Sequence, residues 1–151
     1  MNNICVLPME REHCEQVAQV AKNNLPERLS LESLLDVLRY EHNHFYLAYD
    51  NQKELVIGFA GMMIIVDEAE LLYIAVEPPY RNQGIGQLLM DQVIDEAKNH
   101  HAKRLLLEVR ESNRVAQSFY RKNDFDVIAG RKEYYKNPTE DALIMERIIS
   151  A

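Results

Sequence analysis

The alternation of hydrophobic and polar residues predicts two kinds of element in this 151-residue chain. A short apolar run over Met1–Leu7 predicts a strand, which Pro8 ends. Apolar residues then recur at helical spacing over Glu10–Asn23 and again after Ser30, whose hydroxyl suits a helix cap. The first part of the chain is therefore expected to form one strand and two amphipathic helices.

Farther along, the hydrophobic period changes to two, which is typical of strands. Phe45–Tyr49 and Leu55–Val66 surround a polar turn and predict a hairpin. Leu71–Val76 predicts the next strand, and the amphipathic segment Gly84–His100 predicts a helix that leads into a strand over Lys103–Val109. This strand–helix–strand order predicts a parallel pair of strands.

The remaining segments predict a helix over Asn113–Asn123 and strands over Phe125–Ala129 and Ala142–Ile149. Helices mixed with strands favour an α/β fold, with a central twisted, mixed and mostly antiparallel sheet flanked by helices. We expect a single domain over residues 1–151, with its ligand at the carboxyl ends of the parallel strands.

Composition excludes several classes of function. A net charge of −7 argues against a nucleic-acid-binding surface, which needs clustered lysine and arginine. No apolar run approaches the roughly 18 residues of a membrane span, and no basic leader precedes an apolar stretch, so we expect no membrane partner and a cytoplasmic protein. Cys5 and Cys14 lack Cys-x-x-Cys spacing and are expected to be reduced thiols.

An Arg-x-x-Gly-x-Gly turn at positions 81–86 lies between a predicted strand and a predicted helix. Glycines let the backbone turn tightly and approach a ligand, and the N–H groups at a helix start attract anions. Arg81 adds a guanidinium that can grip phosphate oxygens. A Walker loop would need Gly-Lys-Ser/Thr, and a dinucleotide fingerprint would need a third glycine where Leu89 stands. The turn therefore predicts a pyrophosphate site of another kind.

Glu108 and Tyr120 are the candidate catalytic residues. Period two places Glu108 on one strand face with Arg110, and a buried carboxylate must be paired, solvated in a cleft or used as a base. An ion pair with Arg110 or Lys103 remains open on spacing alone. Tyr120 could be a core tyrosine or a proton donor beside the same cleft.

The glycine turn resembles the coenzyme A loop of the GCN5-related N-acetyltransferases. Downstream, the chain is similar to the bacterial ribosomal-protein-alanine N-acetyltransferase family over roughly Ala60–Met145. The segments that carry the similarity are 67–71, 74–76, 81–86, 107–110, 112–113, 133–135 and 140–145, together with Tyr120 and Phe125.

This resemblance implies an acetyl-CoA-dependent enzyme with Glu108 as general base and Tyr120 as general acid, without a covalent acyl-enzyme. Together with the phosphate-gripping Arg81, the residues expected at acetyl-CoA are Ile74, Ala75, Val76, Asn82, Gln83, Gly84, Ile85, Gly86, Gln87 and Asn113. The implied partner is a protein substrate, the N-terminal alanine of a small-subunit ribosomal protein. We expect a monomer or a weak homodimer.

Acid–base chemistry also favours an N-terminal acceptor, since near pH 7.3 about a fifth of α-amines but only about 0.1% of lysine amines are uncharged. The sequence departs from the family on the acceptor side. The usual Pro-Trp-Ser is replaced within Leu25–Ser30, and the usual Gly-Phe is Asp124-Phe125. The same chemistry on a small-molecule amine or another protein terminus, and a non-catalytic CoA-binding module, therefore stay open.

The five histidines do not form a recognisable metal motif. His42 and His44 could share a strand face, but a third ligand is missing from the pattern. His100 and His101 are more simply explained as cations at a helix C-terminus. No metal is expected.

Overall fold

The computed structural model describes residues 3–149 as seven strands and four α-helices. The strands are β1 Ile4–Pro8, β2 Asn43–Asp50, β3 Leu55–Ile65, β4 Glu68–Val76, β5 Arg104–Arg110, β6 Asp126–Tyr135 and β7 Glu140–Ile148. The helices are α1 Cys14–Asn24, α2 Leu31–Val37, α3 Ile85–Asn99 and α4 Arg114–Lys122. The first two residues of the strand predicted over Met1–Leu7 lie outside the described range.

All seven strands form one sheet in the order β1-β2-β3-β4-β5-β7-β6. Only β4 and β5 pair in parallel, and every other neighbouring pair is antiparallel. The helix α3 connects the two parallel strands. The predicted α/β fold with a mixed, mostly antiparallel sheet is confirmed.

Helices cover both faces of the sheet. On one face, α3 and α4 pack against strand residues such as Leu105 and Leu107. On the other face, α1 and α2 contribute Val17 and Leu34 to a second core cluster around Phe59. Among residues 3–149, no helix is long and apolar enough to cross a membrane.

Local signals explain where the helices begin. The hydroxyl of Ser30 accepts the N–H of Ser33 at 3.1 Å and caps α2, as predicted. The side chain of Asn113 accepts the N–H of Ala116 at 3.1 Å and caps α4. Asp124 follows α4 with φ of 67°, so it takes the left-handed conformation expected where the family has glycine.

Two apolar helix positions and one strand boundary depart from simple periodicity. Leu88 of α3 and Val115 of α4 are 44% and 84% exposed. Both helices lie on the sheet at one face only, and these two positions point away from it. The strand β6 extends to Tyr135 rather than Ala129. Hydrophobic periodicity could not show this end, because β6 is an edge strand whose residues are almost all exposed.

Candidate active site

The parallel strands separate soon after they begin to pair. β4 and β5 are in register only over Glu68–Glu70 and Arg104–Leu106. Beyond this point, each strand keeps a partner on its outer side only, β3 for β4 and β7 for β5. We call the resulting gap between Leu71–Val76 and Leu107–Arg110 the wedge. It lies at the carboxyl ends of the parallel pair, where the sequence predicts a ligand.

One edge of the wedge is a line of main-chain groups without a strand partner. In an antiparallel pair, successive residues direct their N–H and C=O groups to opposite sides. The N–H of Glu77 donates to the carbonyl of Ile57 on β3 at 2.8 Å. By alternation, Ile74 and Val76 direct their main-chain groups toward the wedge. Ala75, also expected at acetyl-CoA, directs its own toward β3.

The glycine turn supplies unpaired N–H groups at the start of α3. Within residues 3–149, no backbone N–H of positions 82–87 donates to a protein acceptor. Gly84 caps the helix with φ of 82°, a left-handed conformation that glycine adopts without strain. A Cβ added there would meet no atom within 4 Å, so the space in front of Gly84 is open. A turn with these features can bind an anion, and we call positions 82–87 the cradle.

The side chains of the turn lie around this cradle. Asn82 is left-handed with φ of 61°, and the side chain of Gln83 donates to a carbonyl four residues earlier at 3.1 Å. Ile85 is buried in the core under α3. Gly86 lies in the first turn of α3, where a Cβ would touch the ring of Phe119 at an ordinary 3.8 Å.

Arg81, which is expected to grip phosphate, already has two partners within the protein. Its Nε donates to the carbonyl of Val76 at 2.9 Å, and its Nη2 donates to Oδ1 of Asn24 at 2.7 Å. Asn24 in turn donates to Glu77 at 2.5 Å. The guanidinium therefore ties the end of β4 to the end of α1 and positions the cradle.

Gln87 and Asn113 also make contacts within the protein. The side-chain amides of Gln87 and Asn123 exchange hydrogen bonds of 2.7 and 3.2 Å, which connect α3 to the end of α4. Asn113 uses its side-chain oxygen to cap α4, which leaves its NH₂ group available to a ligand.

Glu108 of β5 has one carboxylate oxygen without a hydrogen bond. The hydroxyl of Tyr134 donates to its Oε1 at 3.4 Å. Its Oε2 is buried, has no hydrogen-bond partner among residues 3–149, and lies 4.0 Å from Nη1 of Arg131. A buried carboxylate oxygen in this state has lost its water without replacement, which is unfavourable until a donor arrives.

The ion pairs considered from sequence are not formed. Arg110 pairs with Glu140 at 3.2 Å, and Lys103 pairs with Asp67 at 3.3 Å. Both cations are therefore directed away from Glu108. The cation beside Glu108 is instead Arg131, whose ion pair at 4.0 Å leaves Oε2 without a hydrogen bond.

Glu70 is a second carboxylate in the same region, which the sequence pattern did not single out. It occupies the last paired position of β4, opposite Leu106, and so lies beside the strand segment that carries Glu108. Burial and then the charge of Glu108 raise the pKa of Glu70, and Arg131 partly opposes this rise. An acidic residue within an apolar strand was the available signal, as it was for Glu108.

Tyrosines and a third acidic residue complete this side of the wedge. Burial and then the charge of Glu27 raise the pKa of Tyr73. The charge of Glu27 also contributes to the raised pKa of Tyr135, after burial and the charge of Glu108. The rings of Tyr134 and Tyr135 meet edge to face, with centroids 5.1 Å apart. We call this group the acidic mouth; its members are Glu27, Glu70, Glu108, Tyr73, Tyr134 and Tyr135.

Tyr120 approaches from the opposite face of the sheet. It belongs to the same core cluster as Leu107 and Val109, whose side chains alternate with Glu108 along β5. Burial and then the neighbouring Tyr135 raise the pKa of Tyr120 to about 12, so its phenol keeps its proton at neutral pH. Tyr135 contributes electrostatically to the raised pKa of Tyr120. Burial and then the charge of Glu108 raise the pKa of Tyr135, so electrostatic interactions connect the two faces of the sheet.

Comparison with known proteins identifies the family. Residues 10–125 match the model of the acetyltransferase (GNAT) family. The chain is a member of the GNAT acetyltransferases. Enzymes of this family use acetyl-CoA as acetyl donor, so acetyl-CoA is the ligand to which the cradle and the wedge are compared. The open space before Gly84 and the unpaired main-chain edge of β4 both fit it.

Named relatives and solved structures agree with this assignment. A Bacillus subtilis (strain 168) protein is 33% identical over 137 residues, which cover 91% of this chain and 90% of that protein. Its name gives it, provisionally, as a [ribosomal protein bS18]-alanine N-acetyltransferase. The crystal structure of the Escherichia coli ribosomal-protein-S18-alanine N-acetyltransferase matches 98% of this chain and 95% of its own, with a TM-score of 0.88 and 29% identity.

A further structure supports the fold alone. It is a GNAT family acetyltransferase from Elizabethkingia anophelis, solved with acetyl-CoA bound. The match covers 98% of this chain and 99% of that one, with a TM-score of 0.79 and 24% identity.

Proposed function

We propose that this acetyltransferase acts on a protein α-amine, and that its acceptor is the N-terminal alanine of a small-subunit ribosomal protein. The names of the Bacillus subtilis and Escherichia coli relatives support this acceptor. The observation that carries the proposal is the buried Oε2 of Glu108, which has no hydrogen-bond partner among residues 3–149 and lies within the acidic mouth. An incoming amine supplies the hydrogen-bond donor that this oxygen lacks.

Different residues around the wedge have different roles in direct acetyl transfer. Acetyl-CoA supplies an acetyl thioester whose sulfur leaves as a thiolate. The cradle holds the anionic pyrophosphate, and the main chain of Ile74 and Val76 orients the remainder. Glu108 accepts a proton from the acceptor amine, directly or through water. Cys14 takes no part, because it is buried in α1 and burial raises the pKa of its thiol.

Tyr120 holds its proton toward the leaving sulfur. An ordinary thiol has a pKa of about 8.5, so full transfer from a phenol with a pKa of about 12 is unfavourable by itself. Conversion of the thioester into the more stable amide drives the overall reaction, and the proton that Glu108 takes from the amine returns through solvent to the Tyr120 phenolate. Acid and base on opposite faces of the sheet suit these two proton transfers, since they reach the wedge from two sides.

The acidic mouth favours cationic acceptors and disfavours acidic ones. Glu27, Glu70 and Glu108 attract an α-ammonium group, which then loses its proton inside the site. A small polycationic amine satisfies the same electrostatics, and this observation supports the second candidate function. The two candidates differ in whether a peptide chain continues beyond the reacting amine.

The test is an acetyl-transfer assay with four acceptors. The first is a peptide with the alanine terminus of the ribosomal protein, and the second is the same peptide blocked at its N-terminus but carrying an internal lysine. The third begins with leucine in place of alanine, and the fourth is a polyamine. We expect transfer to the first alone, with the Glu108→Gln variant as the catalytic control.

Other outcomes identify the alternatives. Transfer to the polyamine and not to the alanine peptide would replace the protein acceptor by a small amine. Equal transfer to the alanine and leucine peptides would remove the alanine specificity. Retained acetyl-CoA binding without transfer to any acceptor would favour a non-catalytic module.

A further inference from the structure

A cluster of metal-binding side chains lies outside the acetyltransferase site, where β2 meets the end of α3. Nδ1 of His44 lies 3.3 Å from Oε2 of Glu96, and Nε2 of His100 lies 2.8 Å from the same oxygen. The three ligand atoms all lie within 4.8 Å of one another. The imidazole rings of His44 and His100 are tilted, with centroids 4.7 Å apart.

The geometry points to a binding site for a divalent ion of the zinc class, with His44, Glu96 and His100 as its protein ligands. Two imidazoles and one carboxylate are a known zinc donor set, and imidazole suits first-row metals of this kind. Bonds of about 2.0–2.1 Å to a tetrahedral ion place neighbouring donors about 3.3 Å apart, which the His44–Glu96 separation matches, so small side-chain shifts of His100 would complete the site. Water supplies the fourth ligand.

The surroundings of the cluster fit this role. The side chain of His44 is 13% exposed, whereas that of His100 is 45% exposed, so one ligand is held inside and one lies at the opening. Tyr46 lies beside Glu96 and can orient its carboxylate, and Gln92 lies beside Tyr46.

The site has a structural consequence for the enzyme. Glu96 and His100 are one turn apart on α3, whose first residues form the cradle at the opposite end. A bound ion would fix the end of this helix to β2 of the sheet. The sequence pattern predicted no metal because His44 lacked a third ligand, and folding supplies two ligands from α3.

A direct binding experiment tests the proposal on the full chain without a histidine tag. Zn²⁺ is titrated into the metal-free protein by calorimetry, and the melting temperature is measured with and without Zn²⁺. We expect one ion per chain. Zn²⁺ at 100 times its Kd should raise the Tm by about 5 °C or more, because binding stabilises only the folded state.

Two adjacent histidines provide a matched pair of variants. His100→Asn removes a ligand, whereas His101→Asn makes the same substitution at an exposed residue outside the cluster, in a left-handed conformation (φ 59°) that asparagine tolerates. We expect His100→Asn to weaken Zn²⁺ binding at least tenfold and His101→Asn to leave it unchanged. Glu96→Gln gives a second ligand variant, and the metal-free circular dichroism spectrum checks that each variant folds.

Two results would overturn the proposal. One is that wild-type protein shows no binding of Zn²⁺ at up to about 1 mM and no change in Tm. The other is that the His100→Asn and His101→Asn variants bind Zn²⁺ equally well. The readouts are independent of acetyl transfer, so the proposed acceptor can be wrong without affecting this result.

Discussion

Glu108 differs from the other described carboxylates of the sheet because one of its oxygens is buried and has no hydrogen-bond partner. Glu140 illustrates the contrast, because hydrogen bonds from the side chain and N–H of Ser112, and then Arg110, satisfy its carboxylate and lower its pKa against the effect of burial. A structural carboxylate is satisfied within the protein, whereas a base must accept its proton from outside. At the residue scale, the missing partner is therefore the most direct sign of function.

Replacing Glu108 tests this role. We expect Glu108→Gln to lower kcat by about 10²-fold or more, because the amide cannot accept the amine proton. The Kd for acetyl-CoA should stay within about twofold, since Glu108 lies on the acceptor side. Steady-state kinetics and calorimetry measure the two quantities. An equal loss of cofactor affinity and turnover would contradict the division of roles.

Glu70 is expected to act on the binding of the acceptor. Loss of one nearby charge is worth about 1 kcal/mol, so Glu70→Gln should raise the KM for a cationic acceptor about fivefold. Glu68→Gln makes the same change two residues earlier on β4, at a carboxylate that Arg104 pairs at 2.6 Å outside the mouth. An unchanged KM in Glu70→Gln, or an equal change in both variants, would remove Glu70 from the acceptor site.

Asp50 links the hairpin turn to the segment before the cradle. It accepts the hydroxyl of Tyr80 at 2.9 Å and the N–H groups of Gln52 and Lys53. Although burial acts in the opposite direction, these hydrogen bonds lower the pKa of Asp50 below its ordinary value. The folded state therefore binds this proton less tightly than the unfolded state, and the carboxylate stabilises the fold above its ordinary pKa near 4.

This stabilisation should disappear as the pH falls through the lowered pKa of the folded state. We expect Asp50→Asn to be less stable than wild type at pH 7 and the difference to shrink below about pH 4. Urea unfolding at a series of pH values measures it. A difference that is constant across this range would contradict the link.

At the element scale, the conformation of the cradle depends on Gly84 and not on Gly86. Gly84 needs the left-handed conformation and faces open space, whereas Gly86 is helical and faces Phe119. The two positions are two residues apart and carry the same residue type. Only the backbone conformation and the direction of the missing Cβ distinguish them.

The same substitution at both positions should therefore have different effects. We expect Gly84→Ala to raise the Kd for acetyl-CoA at least tenfold and to cost about 1 kcal/mol of stability, because alanine is strained at φ of 82° and its methyl group blocks the approach of phosphate. Gly86→Ala should change neither by much. Calorimetry and thermal unfolding compare the variants, and Gly84→Val should be at least as damaging as Gly84→Ala. Equal affinities for the two alanine variants would exclude Gly84 from the cradle.

At the scale of the whole molecule, the wedge separates two parts of one sheet. The sheet is continuous from β1 to β4 and from β5 to β6, and only three register positions join β4 to β5. The main-chain groups of Ile74 and Val76 are left without a strand partner at this junction. A ligand in the wedge would form hydrogen bonds with β4 that a neighbouring strand normally forms.

Hydrogen exchange can measure this completion of the sheet. We expect the amides of Ile74 and Val76 to exchange quickly in the free enzyme and to be protected by acetyl-CoA, while the amide of Ala75 is protected in both states by β3. Acetyl-CoA at 100 times its Kd should add about 2.7 kcal/mol to the free energy of unfolding. Equal protection of all three amides in the free enzyme would show that the wedge is closed.

The sequence by itself determined the features that depend on neighbours along the chain. Ser30 and Asn113 cap helices through N–H groups three residues away, and the turn at 81–86 lies between a strand and a helix. The period of two placed Glu108 on the less buried face of β5, as found. Local spacing decides such features, so the fold class and the cradle could be predicted.

The tertiary structure decided the features that join distant segments. One partner of Arg81, Asn24, comes from α1, 57 positions away, and binds a guanidinium that sequence alone assigned to phosphate. Burial and then the charge of Glu108 on the next strand raise the pKa of Glu70, and Glu96 of α3 lies beside both His44 of β2 and His100. Strand order and helix packing bring these groups together. Because periodicity reports only which face a residue occupies, it cannot report which charge lies opposite.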